Sequence, residues 1–354
     1  MTVRVGIFGN GFARNVVLPC LRHVTGVEVV GIASPTIERV QETATEFGIP
    51  IAVSDHRELL QRTNFDLALI MTPPHRHLDQ SRDALKAGCH VICEKPTAMN
   101  AAESLEMQQL GAAHADQISL IDHELRMDPR RIQLREWVKA DHLGTVQHVT
   151  YTLRSPSLRG PREFGWWFDA ECGGGALGAL GSHAVDSMRA VCGEVTSVRG
   201  HLETLTKERR DAGGMLREVT VDELANAWLR FESGALATMH ISMVEGERQH
   251  TFAVAGSDGV ASVEEQGPLR VGFGDDALAP YETTDELPAN AELQIPDTDW
   301  ARNFIRLARA TVAAIENGST QVAGAATFVD GHRTQLVLDA IRSSHASGNW
   351  VNNL

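Results

Sequence analysis

A lysine stands between a glutamate and a proline in Glu94-Lys95-Pro96, directly after the apolar run His90-Val91-Ile92-Cys93. An amine just past the carboxyl end of a parallel strand lies where α/β folds hold their ligands. Partial desolvation brings such an amine toward a change of protonation near neutral pH. Charged, it can stabilise a developing alkoxide; neutral, it can take a proton itself. A second stretch with chemical meaning is Gly9-Asn10-Gly11-Phe12-Ala13-Arg14, which follows the first strand candidate. Gly9 permits a tight turn, and Gly11 lets the backbone approach a pyrophosphate whose charge then rests at a helix N-terminus. The loop, with Asn10, Phe12 and Ala13, is therefore a candidate cofactor site. Arg14 replaces the third glycine of the dinucleotide fingerprint, so the helix cannot lie quite as close to its strand. Glycine is common in strand-to-helix turns for geometry alone; here it closes the first strand of a βαβ unit, which gives it more weight.

The end of the second strand bears on which nucleotide is held. A carboxylate there would accept from the adenosine ribose and repel a 2′-phosphate; this chain has Ala33-Ser34-Pro35-Thr36 instead. The hydroxyls of Ser34 and Thr36, with charge from Arg39 or Arg14, could hold a 2′-phosphate. The same hydroxyls could simply cap the next helix. NAD and NADP both remain open, with a lean toward NADP. His75 and His77 stand two apart on a turn shaped by Pro73 and Pro74. No third ligand of suitable type accompanies them, so no metal is expected. Thr72, Pro73, Pro74 and His77 are expected instead to form a turn and helix start beneath a nicotinamide.

The elements that must position these residues can be read from periodicity. Through residue 123, apolar runs (Val3–Phe8, Glu28–Ala33, Ile51–Val53, Leu67–Met71, His90–Cys93, Ile118–Ile121) alternate with amphipathic stretches at Thr36–Phe47, His75–Ala87 and Ala101–Ala113. That order predicts a doubly wound parallel sheet covered on both faces, a Rossmann-like domain over residues 1–123. From 124 to 354 the pattern changes. A helix over Met127–Ala140 precedes alternating segments at Thr145–Arg154, Val195–Leu205, Glu218–Phe231, Ala235–Met243, His250–Ala255 and Gly259–Glu264. Short turns between them predict an α+β domain with a large, mostly antiparallel sheet. Residues 265–296 read as a surface excursion, and helices near Thr298–Glu316 and Thr327–Ser344 end the chain. The chain has 354 residues, 43% apolar and 22% charged, enough for two domains with sizeable cores. A net charge of −14 without a basic block argues against nucleic acid or an anionic membrane surface as a partner. No apolar run reaches spanning length, no leader-like segment opens the chain, and the five scattered cysteines read as buried reduced thiols; a cytoplasmic location is expected.

Taken together, several motifs resemble the Gfo/Idh/MocA oxidoreductases, the glucose-fructose oxidoreductase and inositol dehydrogenase family. They are Thr72-Pro73-Pro74-His75-Arg76-His77, Ala84-Leu85-Lys86-Ala87-Gly88-Cys89-His90-Val91, Glu94-Lys95-Pro96, His123-Glu124-Leu125-Arg126 with Pro129, Gly173-Gly174-Gly175, and Gly181-Ser182-His183 with Asp186. The resemblance covers nearly the whole chain and implies hydride chemistry on a sugar, cyclitol or related polyol. It also implies a homodimer or homotetramer associated through the second sheet, whose surface is open. Lys95 would reach both nicotinamide and substrate, and His183 would supply acid/base or substrate-binding chemistry. The family's usual aspartate maps to Ala179, so one carboxylate is absent and the proton relay stays open between His183 and Lys95. Asp186, one helical turn from His183, could orient its ring. Glu94 and Arg126 are cofactor candidates; His123, Trp166, Trp167 and Ser182 are substrate candidates, the tryptophans on a loop over the site. Retained-cofactor glycoside cleavage or epimerisation, or a nucleotide-bound metabolite sensor, are the competing functions.

Overall fold

The computed structural model describes residues 2–354, which form two compact units. One comprises the residues through Met127 together with Glu286–His332, and the other comprises Asp128–Asp285 with Arg333–Leu354. The expected division after residue 123 thus moves a few residues on, and the chain returns to the first unit near its end. The reason is an apolar stripe on the helix Asp299–Glu316. Ala301, Phe304, Ile305, Ala308, Val312 and Ile315 repeat at helical spacing and share one core with Val3, Val5 and Ile7. The final helix, Phe328–Ser347, also starts in this unit, where Phe328 joins the buried cluster of Ala68 and Ile70, and its remainder belongs to the second.

In the first unit, β1 (Val3–Phe8), β2 (Val27–Ala33), β3 (Ala52–Val53), β4 (Leu67–Ile70), β5 (His90–Cys93) and β6 (Ser119–Ile121) are all parallel, in the order β3-β2-β1-β4-β5-β6. A short strand at Ala326–Thr327 joins β6 antiparallel. Both faces are covered. Leu67 and Leu69 enter one buried cluster and Ala68 and Ile70 the other, which is why β4 shows no alternation in sequence. The strand order reverses between β1 and β4, opening a crevice outside their carboxyl ends. Register brings those ends level: Phe8 pairs with Ile70, Ile70 with Cys93, and Cys93 with Ile121. The loops that start at Gly9, Met71, Glu94 and Asp122 therefore leave one edge of the sheet side by side.

The second unit is built on β7 (Val146–Arg154), β8 (Val195–Glu203), β9 (Glu208–Arg210), β10 (Leu216–Glu218), β11 (Leu224–Phe231), β12 (Leu236–Ser242), β13 (Gln249–Gly256), β14 (Gly259–Glu264), β15 (Leu269–Phe273) and β16 (Ala279–Tyr281). The large sheet runs β16-β15-β14-β13-β7-β12-β11-β8 and ends on Val351–Asn352. Only β7 and β12 pair in parallel. The single strand expected over Glu218–Phe231 is two pieces, because Leu216–Glu218 pairs with Glu208–Arg210 in a separate ribbon. The excursion at 265–296 holds β15, β16 and the short helix Asn290–Leu293; β16 is an exposed edge strand, so burial imposed no alternation on it. Helices Pro129–Lys139 and Ser182–Cys192 pack together, and the second lies on β7. Buried Arg131 donates to Ser187 Oγ at 3.1 Å and lies over the Phe252 ring at 5.3 Å. Thr150, Thr152, Asn226, Trp228, Thr238 and His240 line a shallow hollow elsewhere on the sheet, with Trp228 56% exposed. No helix among the described residues is long and apolar enough to cross a membrane.

Candidate functional site

The first unit carries the nucleotide-type features. Gly9 sits at φ +105°, and a Cβ there would lie 2.3 Å from the carbonyl oxygen of Met71, so the β1 loop crosses the start of the β4 loop at backbone contact. Gly11 is different: a Cβ on it would meet nothing within 4 Å. The space in front of the loop is therefore open at Gly11 and closed at Gly9. Asn10 Oδ1 is buried and has no hydrogen-bond partner among the described residues. Phe12 is 40% exposed while Ala13 is buried, and the chain winds as a π-helix over Ala13–Val17, the turn that lacks the third glycine.

Of the groups expected to recognise a 2′-phosphate, Thr36 occupies the N-cap position of the helix Ile37–Phe47, yet its side chain makes no capping bond. Ser34 and Pro35 lead into it, and Ser34 N–H donates to the Val53 carbonyl at 3.2 Å. Arg39 is exposed on the first turn. Arg14 is instead held by Glu46, at 2.7 Å, and Glu42, at 3.7 Å, so its charge is largely neutralised within the protein.

The loop after β4 is locked to the loop after β5 by a single imidazole. His77 is fully buried, with Nδ1 3.0 Å from the Pro96 carbonyl and Nε2 2.8 Å from the Thr72 carbonyl. A neutral ring has one N–H and can donate to only one of these oxygens, whereas the cation would donate to both. Burial pushes the pKa down to about 4 against the pull of the Thr72, Pro96 and Thr97 carbonyls. His77 is thus a clamp between the two loops. Thr72 Oγ1 donates to Gln80 at 2.6 Å, and Pro73 and Pro74 lead into the 3-10 turn Pro74–Arg76. Replacing His77 by leucine removes the ring's donor from one carbonyl and its bridge between the loops, and is expected to cost about 1–3 kcal/mol, read by denaturant unfolding. An unchanged midpoint would show that the ring bears no such role.

Past β5, Glu94 is buried, and Lys95 is half-buried and joined to Pro96 by a cis peptide bond. The Lys95 N–H donates to Glu94 Oε2 at 3.2 Å. Past β6, Asp122, His123 and Glu124 are all buried. Arg126 forms an ion pair with Asp330 at 3.0 Å. Burial would raise the Asp330 carboxyl, but Arg126 and the Thr327 hydrogen bonds bring it below the usual value.

In the second unit, His183 and Asp186 lie buried one turn apart on the helix Ser182–Cys192, and Ser182 Oγ is buried without a partner among the described residues. The preceding segment Leu177–Gly181, which contains Ala179, is π-helical. Asp222 fixes its start: its carboxylate accepts from Leu177 N–H at 2.7 Å and its carbonyl from Ala176 N–H at 2.9 Å. Burial pushes the Asp222 carboxyl up. Trp167 packs edge-to-face on Phe168 with centroids 5.8 Å apart, whereas Trp166 is 44% exposed. A Cβ on Gly174 would lie 2.2 Å from the Trp167 carbonyl, so part of the glycine run is explained by close backbone packing. Sequence reasoning missed Asp122, Asp222 and Asp330. Each is a single acid whose partner is remote in sequence; only for Asp122 was there a local signal, its place directly after an apolar strand. Among the described residues no group of three or more His, Cys, Asp or Glu side chains could hold a metal.

Comparison with known proteins gives these halves a common context. Residues 3–121 match the family model described as "Oxidoreductase family, NAD-binding Rossmann fold", and residues 132–262 match "GFO/IDH/MocA C-terminal domain". Glucose-fructose oxidoreductase domain-containing protein 2 of Homo sapiens is 27% identical over 98% of this chain and 92% of its own length. The crystal structure of an oxidoreductase domain protein from Kribbella flavida superposes with a TM-score of 0.89 at 25% identity, covering 100% of both chains. A levoglucosan dehydrogenase in complex with NADH and L-sorbose shares the fold, with a TM-score of 0.86 at 23% identity over 100% of this chain and 99% of its own.

Proposed function

Because this chain belongs to the Gfo/Idh/MocA oxidoreductase family and has its NAD-binding Rossmann fold, we propose that it transfers a hydride between a nicotinamide dinucleotide and a hydroxyl-bearing carbon of a sugar, cyclitol or related polyol. The observation that carries this reading is the level set of strand ends in the first unit. The open space before Gly11, the orphan acceptor Asn10 Oδ1 and the Lys95 loop share one edge of the parallel sheet. That arrangement fits a dinucleotide, with Gly9–Ala13 holding the pyrophosphate and Thr72–Pro74 forming a floor beneath the ring. When bound, the nicotinamide supplies or accepts the hydride. Lys95 would hold the substrate oxygen and stabilise charge as the carbonyl forms or is reduced. In the same reading His183 would take or return the hydroxyl proton, with Asp186 orienting it. The sugar-type ligand in the levoglucosan dehydrogenase complex supports the substrate class by analogy. The open face carrying Trp228 supports association of two copies through the second sheet.

Both nucleotides can be accommodated in this reading. No carboxylate stands at Ser34 to repel a 2′-phosphate, and with Arg14 held by Glu46 the charge for it would come from Arg39. Titration with NADH and NADPH, followed by nicotinamide fluorescence, tests the foundation; no binding of either rejects it. In Arg39→Ala, the Kd for NADPH should rise roughly 10-fold while that for NADH stays within about two-fold. Equal loss for both would remove the 2′-phosphate role. An absorbance screen across sugars, inositols, sugar acids and aromatic dihydrodiols then identifies the substrate.

A further inference from the structure

We infer that Glu94 and Asp122 share one proton in a buried carboxyl–carboxyl hydrogen bond, forming a pair with a single negative charge that faces Lys95. The inference goes beyond the proposed function and does not depend on it.

The juxtaposition comes from the sheet. Cys93 and Ile121 are paired neighbours on β5 and β6, so Glu94 and Asp122 are the next residues of adjacent parallel strands. Their backbones are tied in the same register: Glu94 N–H donates to the Ile70 carbonyl at 2.8 Å and Asp122 N–H to the Cys93 carbonyl at 2.7 Å. The side chains are only 7% and 1% exposed, and they hydrogen-bond to each other. Two ionised carboxylates are acceptors only, so that bond needs one proton between them. Oδ1 of Asp122 is buried with no hydrogen-bond partner among the described residues, which leaves a full carboxylate there poorly solvated.

The facing groups favour the same state. Lys95 is the cation facing the pair, Glu124 the further carboxylate, and Cys93 and Cys20 are the facing thiols, both raised by burial. Burial pushes Asp122 well above the usual carboxylate range, and Glu124 and Glu94 add to it against the pull of Lys95. Glu94 is also raised by burial, but Lys95 and its backbone N–H oppose that. Both carboxyls are thus raised by burial, and the pair holds one proton and one negative charge facing Lys95.

The sign for stability follows from a raised folded-state pKa. Stability from protonated Asp122 is fully present below its unfolded value, about 3.9, and is lost as pH climbs toward the folded value. Asp122→Asn keeps a donor to Glu94 at every pH. Relative to wild type, its melting temperature should therefore rise with pH, by roughly 2 °C per pH unit between pH 5 and pH 7. The protonated-carboxyl band in the infrared spectrum of wild type at neutral pH should be missing from the variant. A difference in melting temperature that does not change with pH, or no such band in wild type, overturns the shared proton. These readouts need neither cofactor nor turnover, so they stand even if the hydride reading fails.

Discussion

Replacing Lys95 by alanine should lower kcat by roughly 10³-fold on any substrate the enzyme accepts, with little change in nucleotide affinity and a smaller loss of melting temperature, because buried Glu94 loses the cation that faces it. The separation of effects follows from what the residue does in the fold. Its backbone N–H holds Glu94, and that contact survives truncation. Its side chain is half-buried at the sheet edge and fills no core position. Removing the amine leaves the alkoxide without its nearest countercharge, a loss felt in the transition state far more than in the ground state. Steady-state kinetics, a thermal melt and a nicotinamide titration on the same preparation check the three parts. Full turnover by the variant on a verified substrate would show that Lys95 has been misassigned. A matching fall in stability would instead mark it as structural.

Alanine at Gly9 and valine at Gly11 should fail in different ways, although the two glycines belong to one motif. At Gly9 the backbone is left-handed, at φ +105°, and the added carbon would lie 2.3 Å from the Met71 carbonyl oxygen. Either β1 or β4 must move, so Gly9→Ala should cost more than about 3 kcal/mol and appear mainly as unfolded or aggregated protein. At Gly11 the added atoms enter open space, so the fold should be kept and the melting temperature should stay near wild type. The bulk then occupies the volume a pyrophosphate needs, and dinucleotide affinity should fall at least about 100-fold. Thermal melts and nucleotide titrations distinguish the two. If Gly11→Val binds nucleotide as wild type does, this loop is not the phosphate cradle.

The parallel sheet was legible because its strands are buried on both faces and separated by amphipathic helices with visible ends, as in Val3–Phe8, His90–Cys93 and Ala101–Ala113. The Gly9–Gly11 loop and Lys95 were legible for a related reason: chemistry at strand ends sits next to strong periodic signals. Glu218–Phe231 was misread as one strand because polar alternation continues across the ribbon into the sheet.

Residue types and local spacing by themselves determined the Rossmann order of elements, the candidate nucleotide loop and the placement of Lys95 at the end of a strand. Tertiary structure alone decided which remote groups meet. His77 closes on two carbonyls, Arg126 is taken by Asp330, Arg14 by Glu46, and Asp122 comes to lie beside Glu94. The physical reason is range. Helix and strand periodicities act over a few residues and are written in neighbouring positions. Burial and pairing act across strands that meet only once the sheet has closed, and there a carboxyl group, an imidazole or an arginine takes its role from the partner it finds.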